Sequence, residues 1–262
     1  MPRFSANLST LFQDLPLIDR FAAASAAGFK AVELWFPYEV SAQDMAGVLK
    51  KNGLVCVGIN SPAGNIDKGD WGLAVDPTRR DEFLTGVEQA MAYAHAIDCA
   101  NVHVMAGIRA TGIEVDDAWK VYKDNIGAAC VIAKRYGRNV MIEPLNAIDR
   151  PTYLLSRQAQ AIEVVKAVNR DNLGIMVDIF HLQRGEGNLI EHMRNSLPYA
   201  IHVQIADVPG RHEPGTGEIN FAKVLKELDK AGYTGWVGCE YFPIKSTVEG
   251  LDWIARYGIE KF

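Results

Sequence analysis

The sequence predicts a closed (β/α)8 barrel, the TIM-barrel fold class, formed as one domain over residues 1–262. Short apolar runs rich in β-branched residues alternate with longer amphipathic segments from one end of the chain to the other. Eight such runs occur, and the length of 262 residues is typical of a TIM barrel. No glycine-rich phosphate-binding motif lies at any of the predicted strand-to-helix turns, which argues against an open nucleotide-binding sheet.

The eight predicted strands are mostly continuous apolar runs, as expected for parallel strands that are covered on both faces. They span Phe4–Asn7, Ala31–Leu34, Val55–Asn60, Val102–Met105, Val140–Glu143, Gly174–Asp178, Ile201–Ile205 and Trp236–Glu240. Amphipathic segments between and after them predict helices over Leu15–Ala27, Met45–Leu49, Arg80–Ile97, Val115–Tyr136, Ser156–Val168, Phe221–Leu228 and Val248–Tyr257. Gly28, Gly137 and Gly232 follow three of these segments as helix stops, and Ser156 is the predicted N-cap of another.

The composition excludes several classes of protein. Hydrophobic residues make up 48% of the chain and charged residues 23%, which is ordinary for a globular protein. The net charge is −5 and the 27 Lys and Arg residues are scattered, so a nucleic-acid partner is not expected. No apolar run approaches the roughly 20 residues that cross a bilayer.

Two further observations predict a cytoplasmic protein. The N-terminus lacks the charged and apolar regions of a signal peptide. Four widely spaced cysteines form no CxxC pair and are predicted to be reduced thiols. They are Cys56, Cys99, Cys130 and Cys239. The oligomeric state is left open, a homo-oligomer included.

Polar residues end each of the last four predicted strands, and they indicate a metal site. Glu143, Asp178, Gln204 and Glu240 follow apolar runs, and in a barrel the C-terminal strand ends form one rim. Three carboxylates gathered in a half-buried place are costly unless a cation compensates their charge. An oxygen-only ligand set suits a hard ion, so Mg²⁺ or Mn²⁺ is predicted.

A second group of polar residues is predicted to bind substrate. His181 follows Asp178 by three residues, so both leave the same strand toward one cavity. Arg211 lies in the loop after the seventh strand, where its guanidinium would hold a carboxylate or enolate oxygen through two hydrogen bonds. Other polar residues are less informative: a structural role is preferred for His103 and His202, while His212 and Glu213 remain open.

Aromatic residues near the predicted rim are candidates for pocket walls. The cluster Trp35–Tyr38 follows the second strand and would either line a pocket or cap the barrel. Trp71 lies in the loop Ser61–Thr78, whose length suggests a functional loop over the rim.

Several motifs together resemble the hydroxypyruvate isomerases of the xylose-isomerase-like TIM-barrel superfamily, over essentially the whole chain. The motifs are Arg-Phe-Ser-Ala-Asn-Leu-Ser at 3–9, Phe-Pro-Tyr at 36–38, Ile-Glu-Pro-Leu-Asn at 142–146, Asp-Ile-Phe-His at 178–181, His-Val-Gln-Ile-Ala-Asp at 202–207, Gly-Arg-His-Glu-Pro-Gly-Thr-Gly-Glu-Ile-Asn at 210–220 and Gly-Trp-Val-Gly-Cys-Glu-Tyr at 235–241. The resemblance implies that Glu143 and Glu240 are the acid/base pair, and that both also hold the metal with Asp178 and Gln204. Related ketose 3-epimerases carry His where Gln204 stands, which favours the isomerase branch.

The implied reaction is isomerisation of hydroxypyruvate to 2-hydroxy-3-oxopropanoate (tartronate semialdehyde) through an enediolate, so the expected partner is a small hydroxy-carbonyl acid. A closely similar group acts on 2-oxo-tetronate: the segment at 101–107 resembles that group, whereas 142–146 resembles the hydroxypyruvate enzymes.

Three rival functions are compatible with a barrel of this kind: a ketose 3-epimerase, a DNA-repair endonuclease and a sugar-binding protein without turnover. The six histidines and the net charge of −5 argue against the endonuclease, which would need a histidine-rich rim and a basic groove. The carboxylate cluster argues against simple sugar binding, because binding alone does not require it. An isomerase therefore remains the favoured prediction.

Overall fold

Eight parallel strands close into a barrel in the computed structural model, which describes residues 3–110 and 112–257. The strands are β1 (Arg3–Asn7), β2 (Ala31–Leu34), β3 (Val55–Asn60), β4 (Asn101–His103), β5 (Asn139–Ile142), β6 (Leu173–Asp178), β7 (Ala200–Ile205) and β8 (Trp236–Cys239). Each strand pairs with the next, and β8 pairs with β1 to close the ring. The predicted (β/α)8 barrel is therefore confirmed.

The predicted strand bounds are correct to within two residues, and three of the differences fall at the C-terminal rim. Glu143 and Glu240 were predicted as the last residues of their strands, but each lies one residue beyond the strand. Met105 likewise lies beyond β4, which begins at Asn101. These three residues therefore belong to the loops of the rim and not to the hydrogen-bonded strands.

Helices surround the barrel, and two of them lie where no helix was predicted. The helices are α1 (Leu17–Ala26), α2 (Ala42–Asn52), α3 (Arg80–Ala96), α4 (Val115–Arg135), α5 (Gln158–Val168), α6 (Ile179–Gly185), α7 (Leu189–Ser196), α8 (Phe221–Lys230), α9 (Thr247–Gly250) and α10 (Trp253–Arg256). Helices α6 and α7 fill the connection between β6 and β7. The single helix predicted over Val248–Tyr257 is two short helices.

The predicted cap at Ser156 is wrong. Helix α5 begins at Gln158, and Arg157 is its N-cap residue. The Gln160 side-chain oxygen accepts hydrogen bonds from the backbone N–H groups of Ser156 and Arg157, both at 3.0 Å. A glutamine reaching back from the first turn thus satisfies the N–H groups ahead of the helix.

Apolar side chains fill the space between the barrel and its helices. Phe21 and Met45, for example, are fully buried against the strands from α1 and α2. All four cysteines are buried free thiols, as predicted. Among the described residues, no helix combines the length and apolar character required to span a membrane; a cytoplasmic location stays a prediction.

The strand register brings the last four strand ends to one place on the rim. Asp178 of β6 pairs directly with Gln204 of β7, so their side chains stand at the same height on neighbouring strands. Ile205 pairs with Cys239, which places Glu240 immediately above the end of β8. The barrel thus delivers polar groups from adjacent strands to a single cluster.

Candidate active site

The four residues predicted as metal ligands lie in one buried cluster. The Gln204 side-chain amide donates to Glu240 Oε2 at 2.6 Å. Arg211 Nη2 donates to Asp178 Oδ2 at 3.3 Å and also to Glu240 Oε1, so one guanidinium joins two of the carboxylates. Glu143, Asp178 and His181 each offer a ligand atom within 4.8 Å of the other two, which makes them a candidate metal site.

The cluster is short of positive charge. Burial raises the pKa of Glu143 well above its usual range, and repulsion from Asp178 and Glu240 raises that pKa further. Burial also raises the pKa of Asp178, although Arg211 opposes the shift. For Glu240, burial outweighs the attraction of Arg211 and brings the pKa to about 7. A divalent cation would compensate these charges and lower all three pKa values.

Unpaired oxygens in the cluster match the donor set of a hard cation. Gln204 Oε1 and Glu143 Oε1 are buried and accept no hydrogen bond within the described part of the chain. A buried acceptor without a partner costs free energy unless something binds it. Carboxylate and amide oxygens are the ligands that Mg²⁺ and Mn²⁺ prefer. The residues present therefore fit the predicted type of ion.

The hydrogen bonds of His181 define its tautomer. The backbone N–H of Asn146 donates to His181 Nδ1 at 3.2 Å, and the Asn146 side-chain amide lies 2.7 Å from the same nitrogen. A backbone N–H can only donate, so Nδ1 carries the lone pair and Nε2 carries the proton of the neutral ring. Burial lowers the pKa of His181 well below its usual value, so the ring is neutral. The protonated Nε2 lies 3.8 Å from Asp178 Oδ2 and faces the cluster as a donor.

A tightly organised loop presents Arg211. The carboxylate of Asp207, the second residue after β7, accepts hydrogen bonds from the backbone N–H groups of four loop residues at 2.9–3.0 Å. They are Val208, Gly215, Gly217 and Ile219. Arg211 itself adopts a left-handed backbone with φ of 55°, and its guanidinium stacks 5.0 Å from the Phe180 ring. Its buried Nε–H has no acceptor among the described residues.

Sequence reasoning missed a fourth buried carboxylate, Glu33, in the middle of β2. Glu33 accepts hydrogen bonds from Ser5, Asn7 and Gln204, and it pairs with His202. Burial raises the pKa of Glu33, but the His202 pair and the donors outweigh burial and leave the pKa lower than usual. The signal that could have found it was a glutamate inside the otherwise apolar run Ala-Val-Glu-Leu.

The remaining histidines differ in their relation to the cluster. His202 is not simply packed in the core, because its Nε2 lies 2.7 Å from Glu33 Oε2. His103 is buried beside the cluster, 3.6 Å from Glu143 Oε2, and neither ring nitrogen has a hydrogen-bond partner among the described residues. Burial lowers the pKa of His103 to about 3. His212 braces the loop by a 2.7 Å contact from Nδ1 to the Phe242 carbonyl.

Of the aromatic residues predicted to line a pocket, one borders the carboxylate cluster and the others pack against the framework or tie loops together. Trp35 borders the cluster, because its indole lies near enough to Glu240 to lower the pKa of that carboxyl slightly. Tyr38 instead donates to the Asn60 carbonyl and packs edge-on against Tyr93, so it belongs to the framework. The ring of Trp71 lies under the Arg150 guanidinium at 3.7 Å, which ties the long loop after β3 to the loop after β5.

Two proteins of known name that resemble this chain over nearly its full length are isomerases. A 2-oxo-tetronate isomerase of Haemophilus influenzae is 42% identical over 98% of this chain and 100% of its own length. The hydroxypyruvate isomerase of Escherichia coli is 38% identical over 98% of this chain and its full length. A Brucella melitensis structure described as AP endonuclease, family 2, superposes with a TM-score of 0.94 at 40% identity, covering 98% of this chain and 99% of that one.

A family pattern covers most of the barrel. The family described as Xylose isomerase-like TIM barrel matches residues 21–257, from α1 to the end of the described chain. Both the family match and the full-length relatives agree with the resemblance found in the sequence. This chain belongs to the xylose isomerase-like TIM-barrel family.

Proposed function

We propose that the protein is an isomerase of 2-oxo acids that carry a hydroxyl group on C3, with hydroxypyruvate as the first candidate substrate. The observation that carries the proposal is the placement of Glu143 and Glu240. They reach one buried cluster from β5 and β8, and both pKa values are raised toward the range in which a carboxyl exchanges protons near neutral pH. The isomerase names of the full-length relatives support the same reaction class.

A hard divalent ion, Mg²⁺ or Mn²⁺, completes the proposed site. Glu143, Asp178, Gln204 and Glu240 would hold it, and the unpaired Oε1 atoms of Glu143 and Gln204 are open for it. Bound there, the ion would supply positive charge that stabilises an enediolate. His181 lies close enough to be a ligand, but its Nε2 carries a proton, and a protonated nitrogen cannot bind a metal.

Arg211 and His181 are assigned to the substrate. The Arg211 Nε–H has no acceptor in the described chain and faces a cluster that would receive an acid. A guanidinium binds a carboxylate through two parallel hydrogen bonds. The His181 Nε2–H points at the same cluster, so we assign it as the donor to a substrate oxygen.

The two glutamates move the carbon-bound proton. One removes the proton on C3, and the electron pair of that C–H bond forms the C2–C3 double bond of the enediolate while the π pair of the C2 carbonyl moves onto its oxygen. The other gives a proton to C2, while the proton of the C3 hydroxyl moves to the oxygen on C2. The product of hydroxypyruvate is then 2-hydroxy-3-oxopropanoate, an isomer with the same atoms and electrons. Proton exchange with solvent returns both glutamates to their starting protonation states.

2-Oxo-tetronate is the second candidate, because relatives with that name are 42% and 43% identical to this chain. It has the same 2-oxo-3-hydroxy acid group and carries an additional hydroxymethyl group on C3, so the same residues would act on it. Two solved D-psicose 3-epimerases are only 19% identical to this chain, a likeness that shows the fold alone.

A rate comparison tests the proposal. The protein, loaded with Mn²⁺, is assayed with hydroxypyruvate, 2-oxo-tetronate and two free ketoses, with a chelator-treated sample as control. We expect turnover of at least one acid, no comparable turnover of the ketoses, and loss of activity after chelation. Turnover of a free ketose in preference to both acids would contradict the proposal.

A further inference from the structure

Glu33 lies directly beneath the proposed metal ligands and accepts four hydrogen bonds, which use the capacity of both its oxygens. Oε1 accepts from Asn7 at 3.1 Å and from Gln204 at 2.7 Å. Oε2 accepts from Ser5 at 3.0 Å and lies 2.7 Å from His202 Nε2. Glu33 as a whole residue is only 3% exposed. Its donors come from β1 and β7, so Glu33 joins three strands inside the barrel.

Two of these donors also bind Glu240. The Asn7 amide donates to Glu240 Oε2 at 2.7 Å, and the Gln204 amide donates to the same oxygen at 2.6 Å. Each NH₂ group therefore bridges one oxygen of Glu33 and one of Glu240. The two amides and two carboxylates form a connected buried network.

This network decides which atoms face the cluster. The ionised Glu33 carboxylate only accepts hydrogen bonds, so each amide beside it must turn its NH₂ group toward it. The Gln204 oxygen is consequently turned away from Glu33, and it is the atom left without a partner among the described residues. In the same way Oε2 of Glu240 is occupied by two amides, and Oε1 is the atom that contacts Arg211.

The barrel makes room for the Glu33 carboxylate at some expense in packing. Branched apolar side chains normally fill a barrel interior. Here Gly238 stands on β8 beside Glu33, and a Cβ on this residue would collide with both carboxylate oxygens. The absence of a side chain at 238 therefore serves the carboxylate at 33.

We propose that Glu33 is a positioning residue for the metal: through the Gln204 and Asn7 amides it holds Oε1 of Gln204 and Oε1 of Glu240 toward the ion. The inference rests on the proposed metal site, and it adds a residue that contacts neither metal nor substrate. Groups that orient metal ligands typically change metal affinity by about 10- to 100-fold when removed.

Mn²⁺ affinity, measured by calorimetry without substrate, tests this role with three variants. Glu33→Ala removes the acceptor for both amides, and we expect binding about 10- to 100-fold weaker. Glu33→Gln removes the charge but keeps an oxygen that can accept from both amides, so we expect it to restore most of the affinity. Ser5→Ala, the matched control, removes a donor that does not contact Glu240 or Gln204, and affinity should stay within about 2-fold.

Equal loss in Glu33→Gln and Glu33→Ala would overturn the proposal, because the effect would then come from charge alone. Unchanged affinity in Glu33→Ala would overturn it as well. If Glu33→Ala does not fold, as judged by circular dichroism, Asn7→Ala replaces it: this variant removes one bridge to Glu240 and should bind Mn²⁺ several-fold more weakly, whereas unchanged binding counts against the proposal.

A second measurement needs neither metal nor catalysis. In protein labelled with ¹⁵N-glutamine, both Nε2 protons of Gln204 should exchange slowly with solvent, since both are buried and hydrogen-bonded. Fast exchange of either would overturn the proposal. If the protein binds Mn²⁺ as described but isomerises neither acid, the proposed function fails while the role of Glu33 stands.

Discussion

Glu143 and Glu240 are the residues on which the proposed reaction depends. Replacing either by Gln keeps an oxygen for the metal but removes the group that exchanges a proton. We expect Glu143→Gln and Glu240→Gln each to lose about 10²-fold or more in kcat, the range of general acid–base catalysis. Mn²⁺ content, measured in the same samples, should be largely retained. Near wild-type kcat in either variant would refute the two-glutamate reaction.

Arg211 is expected to act on substrate and not on metal. Its guanidinium competes with a cation for Asp178 and Glu240, so Arg211→Ala should bind Mn²⁺ at least as tightly as the wild type. Loss of a charged hydrogen-bonding group costs about 1.5–3 kcal/mol, and KM for the acid should therefore rise roughly 10- to 100-fold. Arg211→Lys keeps the positive charge but lacks the planar guanidinium that makes two parallel hydrogen bonds. Its KM should lie between the values for the wild type and for Arg211→Ala. Weaker metal binding with an unchanged KM would show the assignment to be wrong.

The site residues that could be predicted from the sequence are those whose position follows from the barrel fold itself. Glu143, Asp178, Gln204 and Glu240 each lie within one residue of the C-terminal end of a strand, and these ends meet at the rim of any such barrel. Glu33 was missed because it lies inside a strand, where its partners come from β1 and β7, distant in the sequence. The tautomer of His181 could not be predicted from the sequence either, because it depends on the hydrogen bond from the Asn146 backbone N–H to Nδ1.

At the scale of an element, the loop between β7 and α8 depends on Asp207. Asp207→Asn replaces an acceptor oxygen by an NH₂ group that faces backbone donors. We expect a loss of about 2 kcal/mol in the free energy of unfolding, seen as a melting temperature roughly 4–8 °C lower. Because this loop carries Arg211, KM for the acid should also rise.

The matched control for this loop is Glu249→Gln. Glu249 accepts hydrogen bonds from Ser246 in an exposed capping box, and a Gln oxygen can accept them too. Its melting temperature should stay close to that of the wild type. If the melting temperature of Asp207→Asn equals that of the wild type, the carboxylate of Asp207 does not organise the loop.

Helices with a clear amphipathic period were predicted well, and the buried helix α6 was not. Helix α8 was predicted to start at Phe221, as observed, because its apolar residues recur on one face. Helix α6 begins with four consecutive buried residues, Ile179–Leu182, and therefore shows no amphipathic period. Its start is set by Asp178, which accepts from the Phe180 N–H at 2.7 Å; the residue that caps α6 is thus also a proposed metal ligand.

For the whole molecule, metal binding is expected to release protons. Without a cation, the pKa of Glu240 is about 7, so this carboxyl is partly protonated at pH 7, and the pKa of Glu143 is raised as well. A cation favours their ionised forms. Mn²⁺ affinity should consequently rise from pH 6 to pH 8, by up to about 10-fold per pH unit for each proton released.

Calorimetry in two buffers of different ionisation enthalpy counts the released protons directly. We expect the observed binding enthalpy to differ between the buffers at pH 7. An identical enthalpy in both, together with an affinity that does not change with pH, would contradict the charge balance described for the cluster.

The fold of the whole chain was the most predictable feature. Eight regular repeats of a strand and a following segment leave few other architectures, because parallel strands need crossover connections and a closed barrel has no exposed edge. The match of residues 21–257 to the xylose isomerase-like family agrees with this prediction. The choice between two acid substrates depends instead on the shape of a small pocket, and no pattern in the sequence reports that shape.

Isomerisation in D₂O tests the central claim most directly. The Mn²⁺-loaded protein is incubated with hydroxypyruvate, and the product is followed by proton NMR. One glutamate removes the C3 proton, and the other, which exchanges with solvent, supplies the hydrogen that is added to C2. We therefore expect 2-hydroxy-3-oxopropanoate to carry solvent deuterium on C2. The same product formed with the original C3 hydrogen on C2 would show that the hydrogen moves between the carbons by direct transfer or on a single base, and would contradict the separate roles of Glu143 and Glu240.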